Sequence, residues 1–180
     1  AGSSYEDIAR SGGGILSTMR AVRTATVNAL QAAAERSCRL MLRHGTLLAE
    51  VKSGYGLSAA AELKMLRAAA RVRSHVTLVA TCLGAHALPP EFEGDHDSYV
   101  TEVCRNLLPD AARLQLAEFA DIYCDRGAFP VQPAARYLES AAAFNLGLKI
   151  HASQFSNFGA VELAIRLKAV SADHLEAIES

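Results

Sequence analysis

The sequence predicts an α/β fold: a partial (β/α)8 barrel of the TIM type, with about five strand-helix units. Three observations predict it. Five short apolar runs recur along the chain, at residues 47–51, 76–80, 119–123, 148–150 and 169–172. Segments of helical periodicity separate them. Each run stops at residues suited to chemistry: Lys52-Ser53-Gly54-Tyr55-Gly56, Gly84-Ala85-His86, Cys124-Asp125, His151-Ala152-Ser153-Gln154 and Asp173-His174. Strands that end in His, Tyr or Asp before a helix gather those groups on the carboxyl-end face of a parallel barrel.

A complete barrel needs ~250 residues, and this chain has 180. Residues 1–180 are therefore expected to be the central part of a single barrel domain, with the first-strand and last-strand portions outside it. A complete open α/β domain is the alternative.

The elements follow in order. Residues 5–23 form a Gly-rich opening segment in which Gly12-Gly13-Gly14 predicts a tight turn. No Gly-Lys-Ser/Thr follows, so it is not a phosphate loop. A helix is expected over 24–44, with Leu30, Ala34, Cys38, Met41 and Leu42 at helical spacing and Gly45 as its stop. After the first strand, Ser58 caps a helix whose inner face is Leu63, Leu66, Ala70 and Val72. The second strand spans 76–81. Leu88-Pro89-Pro90-Glu91 then reads as extended or turn-like.

A helix over 96–108 turns Val100, Val103 and Leu107 inward, and a shorter helical turn spans 109–116. The third strand is 120–123. Pro133 sits in an early helical turn, followed by an apolar face of Tyr137, Leu138, Ala141 and Phe144, with Gly147 at the helix end. The fourth strand is 148–152, a helix covers 158–168, and the fifth strand is 169–172.

Composition narrows the function classes. The chain is 51% hydrophobic, enough for one sizeable core. Its 18 basic and 19 acidic residues are interspersed, for a net charge of -1. No basic stripe with interleaved aromatics is present, which argues against nucleic acid as a partner. No stretch approaches the ~20 apolar residues of a membrane span. Cys38, Cys82, Cys104 and Cys124 are far apart without a C-x-x-C pair, as expected of reduced, buried thiols in a cytoplasmic protein. Cys124 as a nucleophile is the lesser alternative.

His151 is the strongest candidate metal ligand, because a neutral imidazole at a strand end binds a cation well. On its own it would more often be a satisfied hydrogen-bonding residue. His174 at the next strand end and His86 two strands earlier give three converging imidazoles, and so a metal or acid/base site. No H-x-H or H-E-x-x-H pair occurs, so further ligands must come from outside this chain. Tyr55, flanked by Gly54 and Gly56, can project its phenol toward a substrate or pack on a neighbouring helix. Gln154 offers donor and acceptor to an amide-like substrate. Asp125 and Asp173 can orient imidazoles or shape the pocket wall, and Asp173 is not placed among the ligands. His44, His75 and His96 read as surface or helix-end residues.

Several blocks occur together and in order: Gly12-Gly13-Gly14-Ile15-Leu16-Ser17-Thr18, Glu50-Val51-Lys52-Ser53-Gly54-Tyr55-Gly56-Leu57, Glu62-Leu63-Lys64-Met65-Leu66-Arg67, Leu83-Gly84-Ala85-His86-Ala87-Leu88-Pro89-Pro90-Glu91, His151-Ala152-Ser153-Gln154 and Ser171-Ala172-Asp173-His174-Leu175-Glu176. The set resembles the imidazolonepropionase family of the amidohydrolase superfamily, which acts in histidine degradation. The resemblance implies a metal-dependent barrel holding one Zn2+ or Fe3+ ion. It implies hydrolysis of 4-imidazolone-5-propanoate to N-formimidoyl-L-glutamate by a metal-activated water, in a cytoplasmic homodimer.

By position, His151 matches the metal ligand of the fifth barrel strand. Tyr55, His86 and Gln154 match substrate contacts, and His174 matches the sixth-strand histidine that moves protons. His86 is further expected to stabilise the developing oxyanion. The family's first-strand His-x-His pair, its late aspartate ligand and its carboxylate-gripping arginine have no counterpart here. Members also often carry an acidic residue in place of Ser153, and some carry Glu in place of Gln154. Other amidohydrolases or deaminases of cyclic amides and amidines, and a non-catalytic partial-barrel binding module, are the competing expectations.

Overall fold

The computed structural model describes residues 15–178. The tri-glycine turn expected at Gly12 to Gly14 lies outside the described residues. The helices are α1 (Ile15–Thr24), α2 (Val27–Arg43), α3 (Ala59–Ala70), α4 (His96–Asn106), α5 (Leu108–Arg113), α6 (Val131–Ala143) and α7 (Ala160–Arg166). The strands are β1 (Leu48–Lys52), β2 (Thr77–Ala85), β3 (Phe119–Cys124), β4 (Gly147–Ala152) and β5 (Ser171–His174), with a short 3-10 turn at Pro90–Phe92. The strands lie side by side in chain order, every neighbouring pair parallel, as a curled half-barrel. This is the α/β arrangement expected from the recurring apolar runs.

Strand alternation sorts the residues onto two faces. The register pairs Lys52 with Thr81 and Tyr123 with His151, which in turn pairs with Asp173. One face therefore carries Glu50, Lys52, Thr81, Asp121, Tyr123, Lys149, His151 and Asp173. The other carries Cys82, Ala120, Ile122, Cys124, Leu148, Ile150 and Ala152, all buried against the helices. Leu66, Val103, Leu107, Leu138 and Leu163 complete this core from the helix side. Each buried aliphatic side chain of this size contributes about 1.5–3 kcal/mol.

The register slips between Cys82 and Ala85 in β2. Two buried tyrosines donate to backbone carbonyls on either side of this slip. The Tyr137 hydroxyl donates to Cys82 O at 3.0 Å, and the Tyr99 hydroxyl to Gly84 O at 2.7 Å. Gly84 is needed here because a Cβ would collide with Leu107 Cδ2. A bulge re-aims the strand end, and His86 follows directly.

Several local expectations need correction. Within the opening segment expected over 5–23, residues 15–24 form a helix, because Met19 and Val22, three apart, bury one face. The next helix begins after Thr26, whose hydroxyl accepts from Ala29 N at 3.1 Å. On α3 the inner face is Glu62, Leu63 and Leu66, whereas Ala70 is exposed and Val72 lies past the helix end. Phe144 is the C-cap of α6 and is exposed rather than part of the inner face. Asn145, at φ 61°, makes the turn that Gly147 was expected to make. Gly147 instead opens β4, where a Cβ would meet Phe119 Cδ1 at 2.5 Å.

Candidate functional site

His151 stands near the end of β4 on the polar face. Its Nδ1 lies 3.0 Å from Oδ1 of Asp121, a fully buried carboxylate on β3. A carboxylate only accepts, so Nδ1 carries a proton, and it is Nε2 that is left to offer a lone pair to a metal. Nε2 lies 4.0 Å from Asp173 Oδ2. Asp121, His151 and Asp173 each offer one ligand atom, all within 4.8 Å of one another. A histidine that donates one N–H to a carboxylate and presents the other nitrogen has the form of a metal ligand, and N/O donors suit zinc or iron. The residues present therefore fit a metal at Nε2.

Lys52 fills the space between the two carboxylates. Its Nζ donates to Asp121 Oδ2 at 2.6 Å and to Asp173 Oδ2 at 2.7 Å. Burial pulls the ammonium pKa down, but the bonds and charges of Asp121 and Asp173 outweigh this and hold it above its ordinary value. Burial likewise pushes the Asp173 carboxyl up, and Lys52, then His151 and Lys149, bring it below the usual range. Beneath this layer, Glu50 accepts from Lys149 Nζ at 2.9 Å and from the Thr81 hydroxyl.

His86 joins the site from the end of β2. Its Nδ1 donates to Gly54 O at 2.9 Å. Burial lowers its pKa below 6.5, only partly opposed by that carbonyl, so the ring is neutral near neutral pH with an accepting Nε2. Its ring centroid lies 5.1 Å from Tyr55, edge to face, and 6.3 Å from His151.

Tyr55 sits on the loop between β1 and α3. It is 36% exposed while Ser53, Gly54, Gly56 and Leu57 around it are buried. The loop wraps the Glu62 carboxylate of α3, whose oxygens accept from Gly54 N, Gly56 N and Leu57 N at 2.5, 2.7 and 2.8 Å. Burial pushes that carboxyl above its ordinary range, while the Ser53 hydroxyl and the three N–H groups pull the other way.

His174 is paired in register with Ala152, which faces the helices. Its backbone adopts φ 80°, and Leu175 follows at φ 72°. This left-handed turn, costly for residues with a Cβ, brings the His174 ring centroid to 5.4 Å from His151 and 6.5 Å from Tyr123. Gln154 Oε1 accepts from the Tyr123 hydroxyl at 2.9 Å.

Of the residues expected from the sequence, His86, His151, His174, Tyr55 and Gln154 thus gather at the carboxyl ends of the strands. Asp173 comes closer to His151 than expected. Asp125 turns away from the imidazoles and orders the loop after β4, accepting from Phe155 N at 2.9 Å and Ser156 Oγ at 2.5 Å. His44 and His75 are exposed, and His96 packs edge-on against Phe129. Burial raises the Cys124 thiol to about 12, which leaves it without nucleophilic character.

The sequence reading gave no site role to Lys52, Asp121 or Tyr123. Alternation carries the signal: in Phe119-Ala120-Asp121-Ile122-Tyr123-Cys124 the polar residues share one parity, and His151 pairs with Tyr123 on that face.

No helix among the described residues is long and apolar enough to cross a membrane. No protein-family model matches the chain. The chain is 54% identical over 177 residues to an imidazolonepropionase of Rubrobacter xylanophilus, covering 97% of this chain and 42% of that protein. It is 50% identical over 178 residues to an imidazolonepropionase of Methylobacterium sp., with 98% and 44% covered. An imidazolonepropionase of Rhizorhabdus wittichii is 48% identical over 182 residues, with 100% and 46% covered. The chain spans less than half the length of these curated relatives.

Proposed function

Because this chain belongs to the imidazolonepropionase family, we propose that the full-length protein hydrolyses 4-imidazolone-5-propanoate to N-formimidoyl-L-glutamate in histidine degradation. This chain would form the central part of its barrel domain, in a cytoplasmic homodimer. The observation that carries the proposal is the His151–Asp121 pair, ringed by His86, His174 and Tyr123 at the carboxyl ends of the strands.

One zinc or iron ion would be held by His151 Nε2 with ligands from outside this chain, and when bound it supplies an acidified water for attack. In the reaction a water oxygen adds to the ring carbonyl carbon. The bond from that carbon to the ring nitrogen breaks, one of the water's two protons is released as the new carboxylic acid ionises to a carboxylate, and the other ends on that nitrogen. His174, beside His151, is suited to deliver that proton as a general acid. His86, neutral with its Nδ1 proton committed to Gly54 O, is suited to accept a ring N–H of the substrate through Nε2. That tautomer favours substrate positioning over the oxyanion role, since a neutral Nε2 has no proton to donate. With Oε1 on Tyr123, Gln154 would contribute its NH2 as a donor, and Tyr55 would close the site from the β1 side.

The test is metal content together with imidazolone hydrolysis in the full-length protein. Wild type should hold about one ion per site and turn over. H151A should lose both metal and turnover, and H174A should keep its metal and lose turnover. Full turnover by H174A would remove His174 from the scheme. Hydrolysis of hydantoin-like or guanine-like rings in place of imidazolone would move the protein to another amidohydrolase activity.

A further inference from the structure

Glu62 has a burial that its position does not explain. It lies in the first turn of α3, where a glutamate is ordinarily solvated, yet it is 0% exposed. Among the described residues no basic side chain forms a salt bridge with it. A buried carboxylate without a counter-charge is costly unless its lone pairs are filled. Here backbone N–H groups of one loop fill them: Gly54 on Oε2, Gly56 and Leu57 on Oε1.

The carbonyls of the same loop are held from the opposite side. Arg23, near the end of α1, donates from Nε to Gly56 O at 2.8 Å and from Nη2 to Leu57 O at 2.9 Å. Its Nη1 pairs with Glu91, on the segment that follows His86. His86 itself donates to Gly54 O. Gly54 sits at φ +100°, where a Cβ would lie 2.8 Å from Leu83 O, and a Cβ on Gly56 would lie 2.6 Å from Ala61 Cβ. The backbone on either side of Tyr55 is thus clamped by the Glu62 carboxyl group and the Arg23 guanidinium, while Tyr55 projects outward against His86.

We propose that Glu62 and Arg23 are positioning residues that hold the Tyr55 loop, so that Tyr55 and His86 meet the substrate in one fixed arrangement. This rests on the assignment of Tyr55 as a substrate contact. Neither residue touches the reacting atoms. Their effect passes through the backbone of residues 54–57, and a rigid supporting shell of this kind is what an accurately placed contact requires.

The experiment is a double-mutant cycle in the full-length enzyme with 4-imidazolone-5-propanoate as substrate, on Y55F, E62Q, R23A, Y55F/E62Q and Y55F/R23A. Gln offers Glu62's shape, but one of its two oxygens becomes a donor facing the loop N–H groups. R23A, from a half-buried site, provides a second handle should E62Q fail to fold, and thermal melts and metal content check both. The expected result is a rise in KM of about tenfold or more for each single variant, with kcat and metal content changing much less. Each double variant should be no worse than its weaker parent, because all three residues act through one contact. Single effects that multiply in the double variants, or E62Q and R23A enzymes with wild-type KM while Y55F is impaired, would overturn the positioning role alone. A Y55F enzyme with unchanged KM would overturn the Tyr55 assignment, and the positioning role with it.

Discussion

Replacing Asp121 by Asn removes one charge at the centre of the site while keeping its shape. Asp121 is fully buried and accepts from Lys52 Nζ at 2.6 Å and His151 Nδ1 at 3.0 Å. Asn can accept from one of these donors, but its NH2 then faces the other. Breaking a buried ion pair by deleting one partner costs about 3–5 kcal/mol. Lys52 keeps Asp173 at 2.7 Å and its side chain is 20% exposed, so the lower part of that range, about 3 kcal/mol, is expected. The second consequence falls on His151. Without the carboxylate the imidazole loses its fixed tautomer, and removing such a partner typically lowers metal affinity ~10–100-fold, equivalent to about 1.4–2.8 kcal/mol. Urea unfolding of the metal-free full-length protein reads the first effect, and competition against a chelating dye reads the second. A D121N protein within about 0.5 kcal/mol of wild type, with metal affinity unchanged within twofold, would refute both roles assigned to Asp121.

Y137F, which removes the hydroxyl that donates to Cys82 O beside the bulge in β2, should destabilise by about 1–2 kcal/mol in denaturant unfolding; an unchanged midpoint would mean that this bond carries no net stability. His86 has a folded-state pKa below its unfolded value of 6.5, so the unfolded chain takes up the proton first. Its contribution is intact above that value and is lost as pH falls through it toward the lower folded value. Unfolding free energies between about pH 7.5 and pH 5 should therefore fall less steeply for H86N than for wild type, and parallel curves would count against a neutral, buried His86. Burial raises the Cys82 and Cys124 thiols to about 12. Alkylation at neutral pH should spare both until the protein is unfolded, as mass spectrometry of modified peptides would show.

Much of the fold is legible in one dimension because its signals are local. A parallel strand needs a short apolar run, and a helix needs an apolar stripe with a capping residue such as Ser58. Strand ends in a barrel point one way, so His86, His151 and Gln154 could be placed on a common face from their positions alone. Where two residues both suit a local role, the chain does not choose between them. Asn145 and Gly147 can each end α6, and the close approach of Phe119 to the Gly147 backbone decides the matter.

Residue spacing along the chain is enough to set the order of elements and to put His86 and His151 at strand ends on one side of the sheet. The tertiary structure decided what surrounds them. Lys52 meets Asp121 and Asp173 across 69 and 121 residues, a distance that only the pairing of parallel strands closes. Alternation alone would send His174 to the helix side with Ala152, and a left-handed turn brings it back to His151. Glu62 reads as a solvated residue at a helix start until the Tyr55 loop folds over it. In each case the deciding contact is long-range, so its physics becomes visible only once the chain has brought distant residues together.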